Sequence, residues 1–241
     1  MRKQRYNKMN KAKHIAIILD GNRTYAQKLQ KKPWEGHSLG LKTLKVFLDQ
    51  VKELEMEELT LYAFSVQNFE RPKIEVDYLL KLFEQELANE LGKDFENLEK
   101  NQVKVKFLGR IQLFPESLQK KMRELEQKTK DFNKFKLNLA MAYGGKEELI
   151  DSFKAIYDKI VSGKIKKQDI NEKLISDHLY INSEPDMIIR TANKKRTSNF
   201  LIWQSTYSEW FFLEKTWPEF TIEDLKQCIK EFSTRKRTFG K

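Results

Sequence analysis

Short apolar runs alternate along this chain with longer stretches in which apolar residues recur every three or four positions. Runs of the first kind predict buried strands. They lie at His14–Asp20, Leu59–Ser65, Val103–Gly109, Lys136–Tyr143, Asp186–Arg190 and Glu209–Leu213. The second kind predicts helices between them. Leu44, Phe47, Leu48, Val51 and Leu54 share one helical face, and Ile222, Leu225, Ile229 and Phe232 share another. Val76, Leu80, Phe83, Leu87, Leu91, Phe95 and Leu98 mark one long helix from about Lys73 to Lys100. Leu79 and Leu82 widen its apolar stripe, as expected of a helix buried on two sides or one lining a greasy channel. Val161–Asp169 reads as a lysine-rich surface loop. Strands alternating with helices imply an α/β fold with a mainly parallel sheet of about six strands, covered by helices. Without a Pro/Gly/Ser-rich linker, the 241 residues read as one domain, 14–241, behind a basic tail, 1–13.

Composition narrows the partners. Hydrophobic residues make up 39% of the chain, enough for a core, while 34% are charged and the mean hydropathy is −0.69. No apolar run approaches the ~18–20 residues of a membrane span. Met1 to Lys13 is basic without the apolar segment of a signal peptide. One cysteine, Cys228, excludes an intramolecular disulfide and a multi-cysteine metal site, and fits a reducing cytoplasm. The formal net charge of +11 favours anionic partners: diphosphates, lipid headgroups or nucleic acid. Zinc-finger, RRM and basic-zipper patterns are absent, which argues against nucleic acid.

The candidate chemistry collects where strands stop. The first strand ends in Asp20-Gly21-Asn22-Arg23. Ligands of open α/β sheets bind beyond the carboxyl ends of strands. There a carboxylate can hold Mg²⁺, and a glycine lets backbone N–H groups approach a phosphate. The same residues also serve a plain turn. The second strand runs into Ser65-Val66-Gln67-Asn68-Phe69-Glu70-Arg71-Pro72, with Pro72 opening the next helix. The fifth ends at Arg190, followed by Thr191, Arg196, Ser198 and Asn199, groups suited to clamping a diphosphate. Glu209 opens the sixth strand as a second candidate oxygen ligand. Taken singly, each arginine could equally form a structural salt bridge. Phe64, Phe69, Trp203 and Trp210 read as core or interface aromatics, and His14 and His178 carry no assigned chemistry.

These blocks, in this order, resemble the cis-prenyltransferases, the family of undecaprenyl diphosphate synthase. The resemblance runs from His14 to Gly240. It rests on His14-Ile15-Ala16-Ile17-Ile18-Leu19-Asp20-Gly21-Asn22, Gly36-His37, Leu59-Thr60 through Pro72, and Leu137-Asn138-Leu139-Ala140 with Tyr143-Gly144-Gly145. It continues through Ile189-Arg190-Thr191, Arg196-Thr197-Ser198-Asn199-Phe200, Trp203-Gln204 to Glu209, and Trp217-Pro218-Glu219-Phe220. The resemblance implies condensation of isopentenyl diphosphate with an allylic diphosphate, farnesyl or geranylgeranyl. The products would be Z-polyprenyl diphosphates serving as lipid glycan carriers. It implies Mg²⁺ as cofactor, held by Asp20 with Glu209, the latter from the same or a neighbouring subunit. Gly21, Asn22, Arg23, His37 and Arg71 would bind the allylic diphosphate; Arg190, Arg196 and Ser198 would bind isopentenyl diphosphate. Ser65 and Asn68 would join Asp20 as catalytic residues, orienting the diphosphates and assisting proton removal. The growing chain would occupy a hydrophobic tunnel between sheet and helices. A homodimer is implied, with Trp203 to Phe212 as its apolar segment, and with peripheral contact to the cytoplasmic membrane face.

Four positions at three places depart from the family pattern. Thr24 and Thr238 stand where arginines are usual, and Asn193-Lys194 replace a Gly-Glu pair. Lys31, Lys32, Arg235 and Arg237 are near enough in sequence to compensate. The departures motivate one alternative, a non-catalytic subunit supporting a catalytic partner, although Asp20, Arg190, Arg196 and Ser198 are all present. A haloacid-dehalogenase-like phosphatase would require an acid where Ile18 stands.

Overall fold

The computed structural model describes residues 11–52 and 54–236. The tail up to Asn10, and Arg237, Thr238 and Gly240 of the C-terminal block, lie outside the described residues. The elements run β1 (His14–Ile18), α1 (Asn22–Lys28), α2 (Gly36–Val51), β2 (Glu58–Ser65), α3 (Lys73–Leu91), α4 (Phe95–Lys100) and β3 (Val103–Leu108). They continue through α5 (Glu116–Thr129), β4 (Phe135–Tyr143), α6 (Gly145–Val161), α7 (Glu172–Ser176), β5 (Met187–Arg190), β6 (Glu209–Phe212) and α8 (Ile222–Thr234). The six strands form one sheet in the order β3-β4-β2-β1-β5-β6. The β1–β5, β5–β6 and β3–β4 pairs are parallel, as the strand–helix rhythm requires.

Contacts gather the chain into two compact units. The first holds the chain up to Leu59, then Pro185–Lys195 and everything from Tyr207 onward. Its centre is β1, all five residues of which are buried, flanked by the fully buried Met187, Ile188 and Ile189 of β5. Phe47 of α2 meets Trp217 edge-on at 5.6 Å and Phe220 at the same distance. Gly36 and Gly40, one helical turn apart on α2, permit close approach: a Cβ at Gly36 would overlap the Asn22 carbonyl, and one at Gly40 the Asn22 side chain. Cys228 is buried in α8, and burial pushes its thiol up to about 12. It behaves as a small apolar residue.

The second unit holds Thr60–Glu184 and Arg196–Thr206. Its core packs Phe64 against Phe69 at 4.9 Å, Phe114 at 5.7 Å and Phe83 at 5.8 Å. Tyr62 stacks on Phe200 at 4.6 Å. A buried polar network runs beside it. Glu148 accepts hydrogen bonds from the Tyr143 hydroxyl (2.5 Å), the Gln204 amide (3.1 Å) and the Tyr180 N–H (2.8 Å). Burial holds the Glu148 carboxyl above its ordinary range despite these donors.

Three expectations need correction. The helix predicted over Lys73–Lys100 is broken: α3 stops at Leu91, Gly92 takes a non-helical conformation (φ −110°, ψ −108°), and α4 restarts at Phe95. The apolar period survives the break, so periodicity alone hides it. Leu54 falls beyond the end of α2. β1 ends at Ile18, because the Asp20 N–H turns back onto the Ile18 carbonyl at 2.9 Å.

Candidate active site at the strand ends

In the first unit, Asp20 lies two residues past β1 and Arg190 is the last residue of the neighbouring β5. The ladder aligns Ile18 with Arg190, so the two side chains leave adjacent strand ends. Arg190 donates from Nη2 to Asp20 Oδ2 at 2.8 Å. Its side chain is 4% exposed and that of Asp20 34%. Thr191, fully buried, fixes the backbone beneath. Its hydroxyl oxygen accepts from the Asp20 N–H (3.0 Å) and its hydroxyl donates to the Asp20 carbonyl (2.7 Å). The Trp217 N–H donates to that same carbonyl at 2.8 Å.

Gly21 follows with φ +102°, a left-handed conformation that favours glycine. A Cβ there would also stand 2.6 Å from Thr216 Cβ and 2.9 Å from Ala192 Cβ. Its N–H donates to Asp20 Oδ1 at 2.8 Å. Asn22 opens α1, and Arg23 and Thr24 are exposed on its first turn. His37 is half-buried in the first turn of α2. Lys32 lies over the Trp34 ring at 5.5 Å.

Glu209 is placed elsewhere. It opens β6 level with Met187, which in turn is level with Ile15. Asp20 lies five residues beyond Ile15, roughly 16 Å along the strand direction at about 3.3 Å per residue. Glu209 accepts from Arg235 Nη1 at 2.7 Å, and that guanidinium also covers the Phe211 ring at 4.0 Å. One chain therefore does not bring Glu209 to Asp20 as a joint metal ligand, because parallel strands put a strand's first residue at the opposite end from a neighbour's last.

In the second unit, Ser65 ends β2 and a 3₁₀ turn, Val66–Glu70, follows. The Ser65 N–H donates to Asn68 Oδ1 at 3.0 Å, closing the turn. Arg71 pairs with Glu75 at 2.9 Å; Glu75 is 2% exposed, an interaction that the spacing alone did not flag. Arg196 and Ser198 are exposed in the loop before Phe200. Ser198 (φ +49°), Asn199 (φ +61°) and Leu201 (φ +45°) all carry positive φ. Such a run persists only where surroundings enforce it. The Tyr62 hydroxyl donates to the Ser198 carbonyl at 3.4 Å. His14 and His178 have structural surroundings: His14 is buried in β1, and His178 Nε2 lies 2.7 Å from Lys159 Nζ.

Among the described residues no group of three or more His, Cys, Asp or Glu gathers to hold a metal. A lone carboxylate suits Mg²⁺, which keeps waters and is commonly bound through one or two carboxylates together with substrate phosphates. It does not suit a structural zinc site.

A prenyltransferase family model, that of undecaprenyl diphosphate synthase, matches residues 18–240. A tritrans,polycis-undecaprenyl-diphosphate synthase (geranylgeranyl-diphosphate specific) of Methanocaldococcus jannaschii is 44% identical over 239 residues, covering 98% of this chain and 85% of that protein. An isoprenyl transferase of Clostridium perfringens is 40% identical over 230 residues, covering 95% and 89%. The crystal structure of lavandulyl diphosphate synthase from Lavandula x intermedia, in complex with dimethylallyl diphosphate, matches with a TM-score of 0.90 and 32% identity over 96% of this chain and 99% of that one.

Proposed function

The chain belongs to the undecaprenyl diphosphate synthase family of prenyltransferases, and from that premise we propose that it condenses isopentenyl diphosphate with geranylgeranyl diphosphate to build Z-polyprenyl diphosphates. The observation that carries this reading is the Asp20–Arg190 pair at adjacent strand ends, with Gly21 opening its backbone beside it. The naming of several 42–44% identical archaeal relatives as geranylgeranyl-diphosphate specific favours that starter over farnesyl diphosphate. Incubation with Mg²⁺, labelled isopentenyl diphosphate and both starters, read by mass spectrometry, tests it.

The allylic C–O bond breaks and diphosphate leaves; the allylic carbon joins the terminal carbon of isopentenyl diphosphate; a proton is lost from its C2. The roles that the resemblance implies fall on each unit separately. In the first, Gly21, Asn22, Arg23 and His37 serve the allylic diphosphate and Arg190 serves isopentenyl diphosphate. In the second, Arg71 serves the allylic diphosphate and Arg196 and Ser198 serve isopentenyl diphosphate, with guanidinium forks matched to phosphate oxygens. Ser65 and Asn68 orient the reacting diphosphates beside the departing proton. Mg²⁺ bound by Asp20 would neutralise charge developing on the leaving diphosphate. Charge stabilisation of that kind is commonly the largest single contribution to rate. The apolar product runs along α3, where Leu79 is buried and Val76, Leu80 and Phe83 are half-buried.

The protein acts as a homodimer. Ile150, Phe153, Tyr157 and Val161 form an exposed apolar stripe along α6, at 48%, 53%, 65% and 69% exposure, and a second copy covers it. Among the described residues no helix is long and apolar enough to cross a membrane. The basic N-terminal tail adds peripheral attraction to an anionic lipid surface, roughly 1 kcal/mol per basic residue.

A further inference from the structure

Glu147, in the first turn of α6, joins two segments of the second unit that carry proposed site residues. Its Oε1 accepts from Gln67 Nε2 at 3.1 Å, and its Oε2 accepts from Asn199 Nδ2 at 2.8 Å. Gln67 adjoins Asn68 in the 3₁₀ turn after β2, and Asn199 adjoins Ser198 in the loop that also carries Arg196.

Asn199 is itself tied down. Its Oδ1 accepts from the Lys146 N–H at 2.8 Å and its carbonyl from the Gly145 N–H at 2.7 Å. These bonds satisfy N–H groups that open a helix and have no partner within it. They leave the Asn199 amide N–H₂ directed at Glu147, and they hold Asn199 in its left-handed conformation. Gly144 makes room for the arrangement. Its backbone is extended (φ −163°), so conformation does not demand glycine, yet a Cβ there would lie 2.7 Å from Asn199 Nδ2 and would overlap Glu147 Oε2.

We infer that Glu147 is a positioning residue that fastens the Ser65–Asn68 turn to the Arg196–Ser198 loop. The inference rests on the proposed function for the roles of those segments, but the bridge is a property of the free protein. Both partners present amide donors, and the carboxylate accepts from each. Asn199 is fixed as a donor because its Oδ1 is held by the Lys146 N–H, whereas the exposed Gln67 amide can turn over to accept.

The test removes the acceptors and then restores them conservatively. In Glu147→Ala both bonds are lost. In Glu147→Gln the exposed Gln67 amide turns over, so that residue 67 accepts from residue 147, which still accepts from Asn199. Two readouts are taken on the full chain. The first is amide hydrogen exchange of residues 65–70 and 196–200 without substrate. The second is KM for isopentenyl diphosphate against KM for the allylic starter. Glu147→Ala is expected to speed exchange in both segments and to raise KM for isopentenyl diphosphate by about threefold to tenfold, the scale of a lost hydrogen bond. KM for the starter stays within about twofold, and Glu147→Gln stays near wild type on both readouts. Gln67→Ala, at an exposed position, supplies the same comparison should Glu147→Ala not fold. Unchanged exchange and KM in Glu147→Ala, or a Glu147→Gln variant as impaired as Glu147→Ala, would overturn the inference. Absence of turnover by the wild-type chain would instead defeat the proposed function, with hydrogen exchange still deciding whether the bridge exists.

Discussion

The buried Arg190 guanidinium donates to the Asp20 carboxylate at 2.8 Å, from the end of one strand to just past the end of its neighbour. Opposite charges proposed for different ligands thus neutralise each other in the free protein. Removing the acid leaves a buried cation short of a strong acceptor. Asp20→Ala is therefore expected to lower kcat by about 10²–10³, the scale for one preorganised charge-stabilising group. It should also cost about 1.5–3 kcal/mol of stability, the range for a hydrogen bond to a charged group. Steady-state kinetics and denaturant melts check both; near-normal turnover removes Asp20 from the site.

Gly21→Ala should be severe for two independent reasons, a φ of +102° and a Cβ 2.6 Å from that of Thr216. A loss of about 2 kcal/mol or more is expected from backbone strain and overpacking together. Gly40→Ala tests the neighbouring contact: its Cβ would overlap the Asn22 side chain and meet Trp217 at 3.0 Å. The account predicts a raised KM for the allylic starter in this variant, because Asn22 must shift.

Thr24 is exposed on α1, at a position where the resemblance implies an arginine. Thr24→Arg should lower KM for the allylic starter by up to about tenfold, since a well-placed charge-assisted bond is worth about 1.5–3 kcal/mol. An unchanged KM would mean that Lys31 or Lys32 already fills that role.

Acid should destabilise the fold through groups held below their ordinary range. Burial opposes ionisation of Asp151, but the Arg110 and Tyr180 hydrogen bonds prevail and lower its pKa. Burial likewise opposes Asp224, whose pKa Lys215 and Thr221 lower; Thr216 lowers that of Glu219. A lowered carboxylate contributes stability that is present above its unfolded value, about 4–4.5, and is lost as pH falls through the folded value. Melting temperature should fall as pH drops below about 4, and Asp151→Asn should flatten that slope. Glu148 acts with the opposite sign, because burial raises its pKa and its contribution declines as pH rises.

The exposed α6 stripe gives an assembly test. Phe153→Asp with Tyr157→Asp should shift the protein from dimer to monomer by light scattering at micromolar concentration. A wild-type monomer would overturn the proposed homodimer.

All six strands were legible because each is a short apolar run that stops at polar residues. Asp20 and Arg190 were legible because those stops carry charge. What pattern could not supply was register and close approach. Within one chain, strand direction places Glu209 level with Ile15 and away from Asp20, so of the two arrangements only the one across subunits is left open. The break at Gly92 was invisible because the apolar period continues across it. Glu147 and Asn199 meet through a helix start and a left-handed loop, 52 residues apart, with no periodicity to announce them. The Gly36–Gly40 spacing on α2 was the one available signal that something packs closely there.

The most direct test of the central claim is turnover by the purified chain with labelled isopentenyl diphosphate, geranylgeranyl diphosphate and Mg²⁺, with products read by mass spectrometry. The account predicts a ladder of polyprenyl diphosphates with newly formed Z double bonds, abolished by excess EDTA and restored by added Mg²⁺. No elongation with either geranylgeranyl or farnesyl diphosphate, or equal elongation in EDTA, would contradict it.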